Sequence, residues 1–131
     1  MSSNRILQVI TRSDWGGAAR IIESLATKIS EVTDVACGPN GRLVDRLEKR
    51  GIQVHIQPHL QSPPHPRDIL SYQDLHRLIT GKEFDLIHSH STNAGALTRL
   101  AASRAEIPNV FTVHGWGFYN TEYRVLRPLV I

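Results

Sequence analysis

The sequence is short of several things, and each shortage removes a class of function. It holds one cysteine, Cys37, so no internal disulfide can form and a reducing compartment is the expectation. It has no apolar run approaching the roughly 18 residues that a spanning helix needs, and no secretory leader is evident at its start. The protein is therefore read as cytoplasmic. Its net charge is +3, and the basic residues are spread along the chain. Without a basic cluster interleaved with aromatics, nucleic acid is not an expected partner. Two nucleotide fingerprints are also absent: no Gly-x-Gly-x-x-Gly run and no Walker loop occur. Where an acid would bind a ribose after the second strand stands Cys37-Gly38-Pro39-Asn40, so a nicotinamide cofactor is not expected.

What is present is a regular alternation of strand and helix patterns. Ile6 to Ile10 is an apolar run, followed by Gly16-Gly17 and a helical stripe of Ala18, Ile21, Ile22, Leu25, Ala26 and Ile29. Val32 to Cys37 is a second strand. Leu43, Val44 and Leu47 mark a short helix ended by Gly51, and Ile52 to Ile56 is a third strand. Pro58 to Pro66 holds four of the seven prolines and is a loop. Ile69, Tyr72, Leu75, Leu78 and Ile79 form the next helix, ended by Gly81. Leu86-Ile87 opens a fourth strand. Ser91, Thr92 and Asn93 can cap a helix carried by Ala94, Leu97, Leu100, Ala101 and Ala105, and Val110 to Val113 is a fifth strand. Such alternation predicts an α/β fold: a doubly wound parallel sheet of order 3-2-1-4-5, Rossmann-like, covered on both faces. The order then reverses between the first and fourth strands. Gly16-Gly17 and Ser89 to Thr92 should line the crevice at that point. A last helix over 120–131, apolar at Tyr123, Leu126, Leu129 and Val130, ends without closing polar residues. The chain accordingly reads as one domain over 1–131, truncated at its C-terminal side.

Several motifs admit both a chemical and a structural reading. Gly16-Gly17 can bring backbone close to a phosphate at a helix N-terminus, or can simply make a tight turn. His88 and His90 alternate onto one face of a strand end. With His114 they could ligate zinc. The favoured reading places His88 in the core and has His90 bonding a neighbouring loop, with no metal bound. His114, beside Gly115 and Gly117, can donate to a phosphate or sugar hydroxyl, or cap its strand. Arg42, Arg46, Lys49 and Arg50 share a helix face that can meet an anionic membrane, or can stand in solvent. Trp116 and Phe118 can stack on a sugar or fill their loop.

Five of these segments, in order, carry a family resemblance. They are strand one with Gly16-Gly17-Ala18; Pro63 to Asp68; Phe84 to Ser91; Ala94-Gly95 with Arg99 to Ala102; and Thr112 to Phe118. Together they resemble the N-terminal domain of retaining GT-B glycosyltransferases of the family 4 (group 1) type. The resemblance implies transfer of a sugar from a nucleotide-sugar donor to a glycan or lipid-linked acceptor in polysaccharide or cell-envelope synthesis. It implies no metal and no cofactor. It implies that His114 lies by the reacting sugar and that Gly16 and Gly17 approach the donor. His90, Ser91, Thr92, Asn93 and Trp116 would contact the acceptor. The family's second, nucleotide-sugar domain has no counterpart in the sequence, so the chain by itself is expected to be inactive. Rival readings are a non-catalytic acceptor-binding subunit paired with a separate donor-binding chain, and a metal hydrolase using His88, His90 and His114. A receiver-type signalling domain lacks its acidic cluster after strand one.

Overall fold

A computed structural model describes residues 4–13, 15–29, 31–39, 41–60 and 65–112. The elements are β1 (Ile6–Ile10), α1 (Gly17–Lys28), β2 (Thr33–Cys37), α2 (Arg42–Lys49), β3 (Gln53–Ile56), α3 (Asp68–Lys82), β4 (Leu86–Ser89), α4 (Thr92–Arg104) and β5 (Asn109–Phe111). All five strands are parallel, in the order β3-β2-β1-β4-β5. The doubly wound Rossmann-like sheet expected from the alternation is present.

The pleat separates two cores. Leu7, Val9, Ala36 and Ile87 point to the side covered by α3 and α4, where Leu75, Ile79, Ala94, Ala101 and Ala102 meet them. Ile10, Val35 and Cys37 point to the other side and pack on Ala19, Ile22, Ala26, Leu43 and Leu47 of α1 and α2. β2 is buried along its whole length, as expected of a strand covered on both faces. Burial pushes the Cys37 thiol up to about 12, so this cysteine is an inert core residue.

Three helix readings need correction. In α1 the buried residues are Ala19, Ile22, Glu23 and Ala26, while Ile21 is 44% exposed. The buried stripe turns toward the neighbouring α2, so an acid takes a place that periodicity gave to isoleucine. In α4 the inner face is Asn93, Ala94, Gly95, Thr98, Ala101 and Ala102, and Leu100 points outward. Small residues let α4 approach the sheet: a Cβ on Gly95 would stand 3.1 Å from the Phe111 ring. Gly81 does not end α3, which runs to Lys82 and stops at Glu83 in the left-handed region, φ 55°. Gly51, in contrast, follows α2 with φ 76°, the conformation that makes glycine useful after a helix. The expected last helix, over 120–131, lies outside the described residues.

Candidate functional site: the crevice between β1 and β4

β1 feeds leftward into β2, and β4 feeds rightward into β5, so a crevice opens at the carboxyl ends of β1 and β4. Val9 pairs with Ser89 in register, and the His90 N–H extends the ladder to the Val9 carbonyl at 2.9 Å. Two residues beyond that pair stand Thr11 and Ser91. Their hydroxyls are hydrogen-bonded to each other, and the Thr11 N–H also donates to Ser91 Oγ at 3.1 Å. Ser91 has the extended backbone of an N-cap, φ −136°, but makes no capping side-chain bond, because Thr11 holds its oxygen. The expected side-chain cap is thus replaced by a clasp that ties the two strand ends together. Thr11 was not among the expected site residues. The signal was available: two hydroxyl residues stand at the same offset past strands that the topology makes neighbours.

The loop after β1 is anchored from the other side. Ser13 Oγ donates to the Pro39 carbonyl, and the Ser13 carbonyl accepts the Leu43 N–H at 2.9 Å. Gly38 N–H donates to the Thr11 carbonyl at 3.0 Å. Gly16 and Gly17 are exposed at the start of α1. Neither has a positive φ, and a Cβ built on either meets nothing within 4 Å. Neither backbone conformation nor packing within the described residues therefore demands glycine there. Among the described residues, the two glycines leave open space at a helix N-terminus, whose free N–H groups favour an anion.

Opposite lie Ser91 and Thr92, both half-buried, and Asn93, buried at the first turn of α4. The rings of His88 and His90 stand 4.0 Å apart on one face of β4, but the expected division between them is reversed. His90 is the buried one, 2% exposed, with Nε2 2.5 Å from Gln8 Oε1. A carbonyl oxygen only accepts, so His90 Nε2 carries the proton. His88 is half-buried, with Nε2 2.5 Å from Thr112 Oγ1. The physical reason is position: His88 stands level with Gln8 of β1 and Val110 of β5 and bonds Thr112 just past the edge strand, whereas His90 lies past the end of β4 and its ring reaches back to Gln8 of the central strand. His114 and Trp116 lie outside the described residues. Among the described residues, no three potential metal ligands come together, and no helix is long and apolar enough to cross a membrane.

The basic face of α2 is also rearranged. Arg46 and Arg50 turn toward α1, and their Nε–H groups donate to the two oxygens of Glu23 at 3.0 and 2.8 Å. Arg42 and Lys49 remain exposed. The Arg46 hydrogen bond holds the Glu23 carboxyl below its ordinary value against the opposing effect of burial, with Arg50 adding to it. Glu23 thus binds fewer protons folded than unfolded near its unfolded pKa. Its stabilisation is present above the ordinary glutamate value of about 4.3 and is lost as pH falls through the lowered folded value. The melting temperatures of the wild type and Glu23→Gln should differ at pH 7 and converge as pH falls through the lowered folded value of Glu23. An unchanged gap over that range would show that Glu23 is not the titrating group.

The family model of Glycosyltransferase Family 4 matches residues 15–130. The UDP-Gal:alpha-D-GlcNAc-diphosphoundecaprenol alpha-1,3-galactosyltransferase of Escherichia coli is 28% identical over 95 residues, 72% of this chain and 24% of the relative. The crystal structure of Anabaena Alr3699/HepE in complex with UDP-glucose superposes with a TM-score of 0.75 at 20% identity, over 96% of this chain and 34% of that one. Acinetobacter baumannii MurG superposes with a TM-score of 0.67 at 12% identity, over 85% and 35%. The chain thus spans about a quarter of the curated relative and about a third of each structural one. With the doubly wound sheet and the crevice at its reversal point already in place, the match over nearly its whole length settles the family: the chain belongs to Glycosyltransferase Family 4.

Proposed function

We propose that this chain forms the acceptor-side half of a sugar transferase, passing a sugar from a nucleotide-sugar donor to a glycan or lipid-linked acceptor. The observation that carries the reading is the space over Gly16 and Gly17 that no described residue fills, at the helix N-terminus where the donor diphosphate or sugar would approach. The relatives support the substrate class. HepE was solved with UDP-glucose, and the name of the E. coli relative specifies UDP-Gal and a diphosphoundecaprenol-linked acceptor. In this reading Ser91, Thr92 and Trp116 face the acceptor, and Asn93, buried at the first turn of α4, supports them. His90, being buried, positions the β4 end from behind. His114 donates to the sugar or phosphate as charge develops. A second unit, covalently joined or supplied as a separate chain, binds the nucleotide. The reaction takes place at the cytoplasmic side, with Arg42 and Lys49 among the exposed cations available to a membrane surface. Neither a metal nor another cofactor is required. Rate enhancement comes from positioning and from stabilising the departing phosphate.

The test uses the enzyme complete with its donor-binding unit, assayed with nucleotide sugars and a lipid-phosphate acceptor. Alanine is a better helix former than glycine and restricts the unfolded chain, so Gly17→Ala should hold or slightly raise the melting temperature. The same methyl group should lower turnover about tenfold or more by intruding on the donor. His114→Ala should cost about a hundredfold in turnover. Full turnover in Gly17→Ala would reduce the glycine pair to a plain turn, and full turnover in His114→Ala would reduce that histidine to a strand cap.

A further inference from the structure

Away from the crevice, α1 and α2 enclose a groove of about 300 Å³ whose polar lining includes Arg20, Glu23, Lys28, Arg46 and Arg50. Four cations against one carboxylate leave three net positive charges in this small space. One guanidinium would neutralise Glu23, yet two are bound to it. Each uses only its Nε–H, and among the described residues the Nη groups of Arg46 and Arg50 have no protein acceptor. The carboxylate is 9% exposed, whereas the two arginine side chains are 40% and 49% exposed. Glu23 therefore holds both guanidinium groups through Nε, in side chains that line the groove, and leaves their Nη donors available. Trp15 holds the rim, with the Arg46 guanidinium 4.0 Å and that of Arg20 5.6 Å from its ring. Gathering like charges is unfavourable unless an anion joins them, and planar paired donors suit an oxyanion such as phosphate.

We propose that the α1–α2 groove is a phosphate-binding site, in which Glu23 prearranges Arg46 and Arg50 and the exposed Arg20 and Lys28 complete the cation set. The ligand is a phosphate monoester or diester, either on a soluble metabolite or in a lipid headgroup. Its lining, on α1 from Arg20 onward and on α2, does not include Gly16 or Gly17, where the donor position is proposed.

The experiment follows the arginine Nε–H signals of the full chain by NMR during titration with glycerol 3-phosphate, with sodium chloride at matched ionic strength as the control. Co-sedimentation with phosphatidylglycerol vesicles, compared with phosphatidylcholine vesicles, forms the second arm. Saturable shifts of the Arg46 and Arg50 signals support a soluble ligand, and selective retention on the anionic vesicles supports a lipid headgroup. The paired change Arg20→Ala with Lys28→Ala removes two exposed charges without touching the Glu23 bonds. It should weaken binding about tenfold with an unchanged circular dichroism spectrum. No saturable shift together with no vesicle retention overturns the proposal. So does a response that sodium chloride reproduces, or binding that the double variant leaves intact.

Discussion

Replacing His90 with alanine should cost the domain about 3 kcal/mol, the sum of a cavity and an orphaned acceptor. The ring is 2% exposed and Gln8, also 2% exposed, receives its Nε2–H. Alanine removes both the packing under the β1–β4 clasp and the partner of a buried amide oxygen. His88→Ala should cost less, about 1–2 kcal/mol, since that ring is half-buried and its removal leaves a smaller void while breaking the bond to Thr112 and the ring contact with His90. Urea unfolding of the two variants side by side measures the difference. A larger loss for His88→Ala would restore the expectation drawn from strand alternation alone, with His88 as the core residue.

Gly38→Ala should be comparably severe, for a different reason. A Cβ there would lie 2.3 Å from the Thr11 carbonyl oxygen and 2.8 Å from that of Leu60. Both obstacles are main chain, so no side-chain rotation relieves them. Thr11 is also the residue that clasps Ser91. Moving it would strain the β1 end and the crevice together. Overpacking of this kind costs about 1–3 kcal/mol, and we expect the upper end because backbone must move on two sides. Thermal unfolding should show a fall of about 10 °C for a domain of this size. A melting temperature within a degree or two of wild type would mean that the β2–α2 turn has another conformation of similar energy. The adjacent substitution Pro39→Ala, at an exposed position, serves as a control with little expected effect.

The element order and the sheet order were legible because both rest on local information. Apolar periodicity separates strand from helix within a few residues, and right-handed crossovers then leave few arrangements of five parallel strands. β1 has its expected bounds and β2 and β3 match to within a residue, whereas β5 ends at Phe111, two residues before the expected Val113. The crevice followed, since the reversal point is a property of the strand order. The glycine pair was also visible, though only the space around it separates a ligand approach from an ordinary turn.

The partners of individual side chains were decided by tertiary structure. Thr11 and Ser91 are 80 residues apart, Gln8 and His90 are 82 apart, and Glu23 reaches arginines 23 and 27 residues away. Periodicity gives the face on which a residue lies, but not the register that sets what stands opposite. Ser91 therefore looked like a helix cap, His88 like the core histidine, and Arg46 and Arg50 like members of a solvated basic face. Once β1 pairs with β4 and α1 packs beside α2, the same residues become a clasp, an edge contact and a clamp on a buried acid. Burial in those places makes each hydrogen bond obligatory, and the pairings could be recognised only after the chain had brought them together.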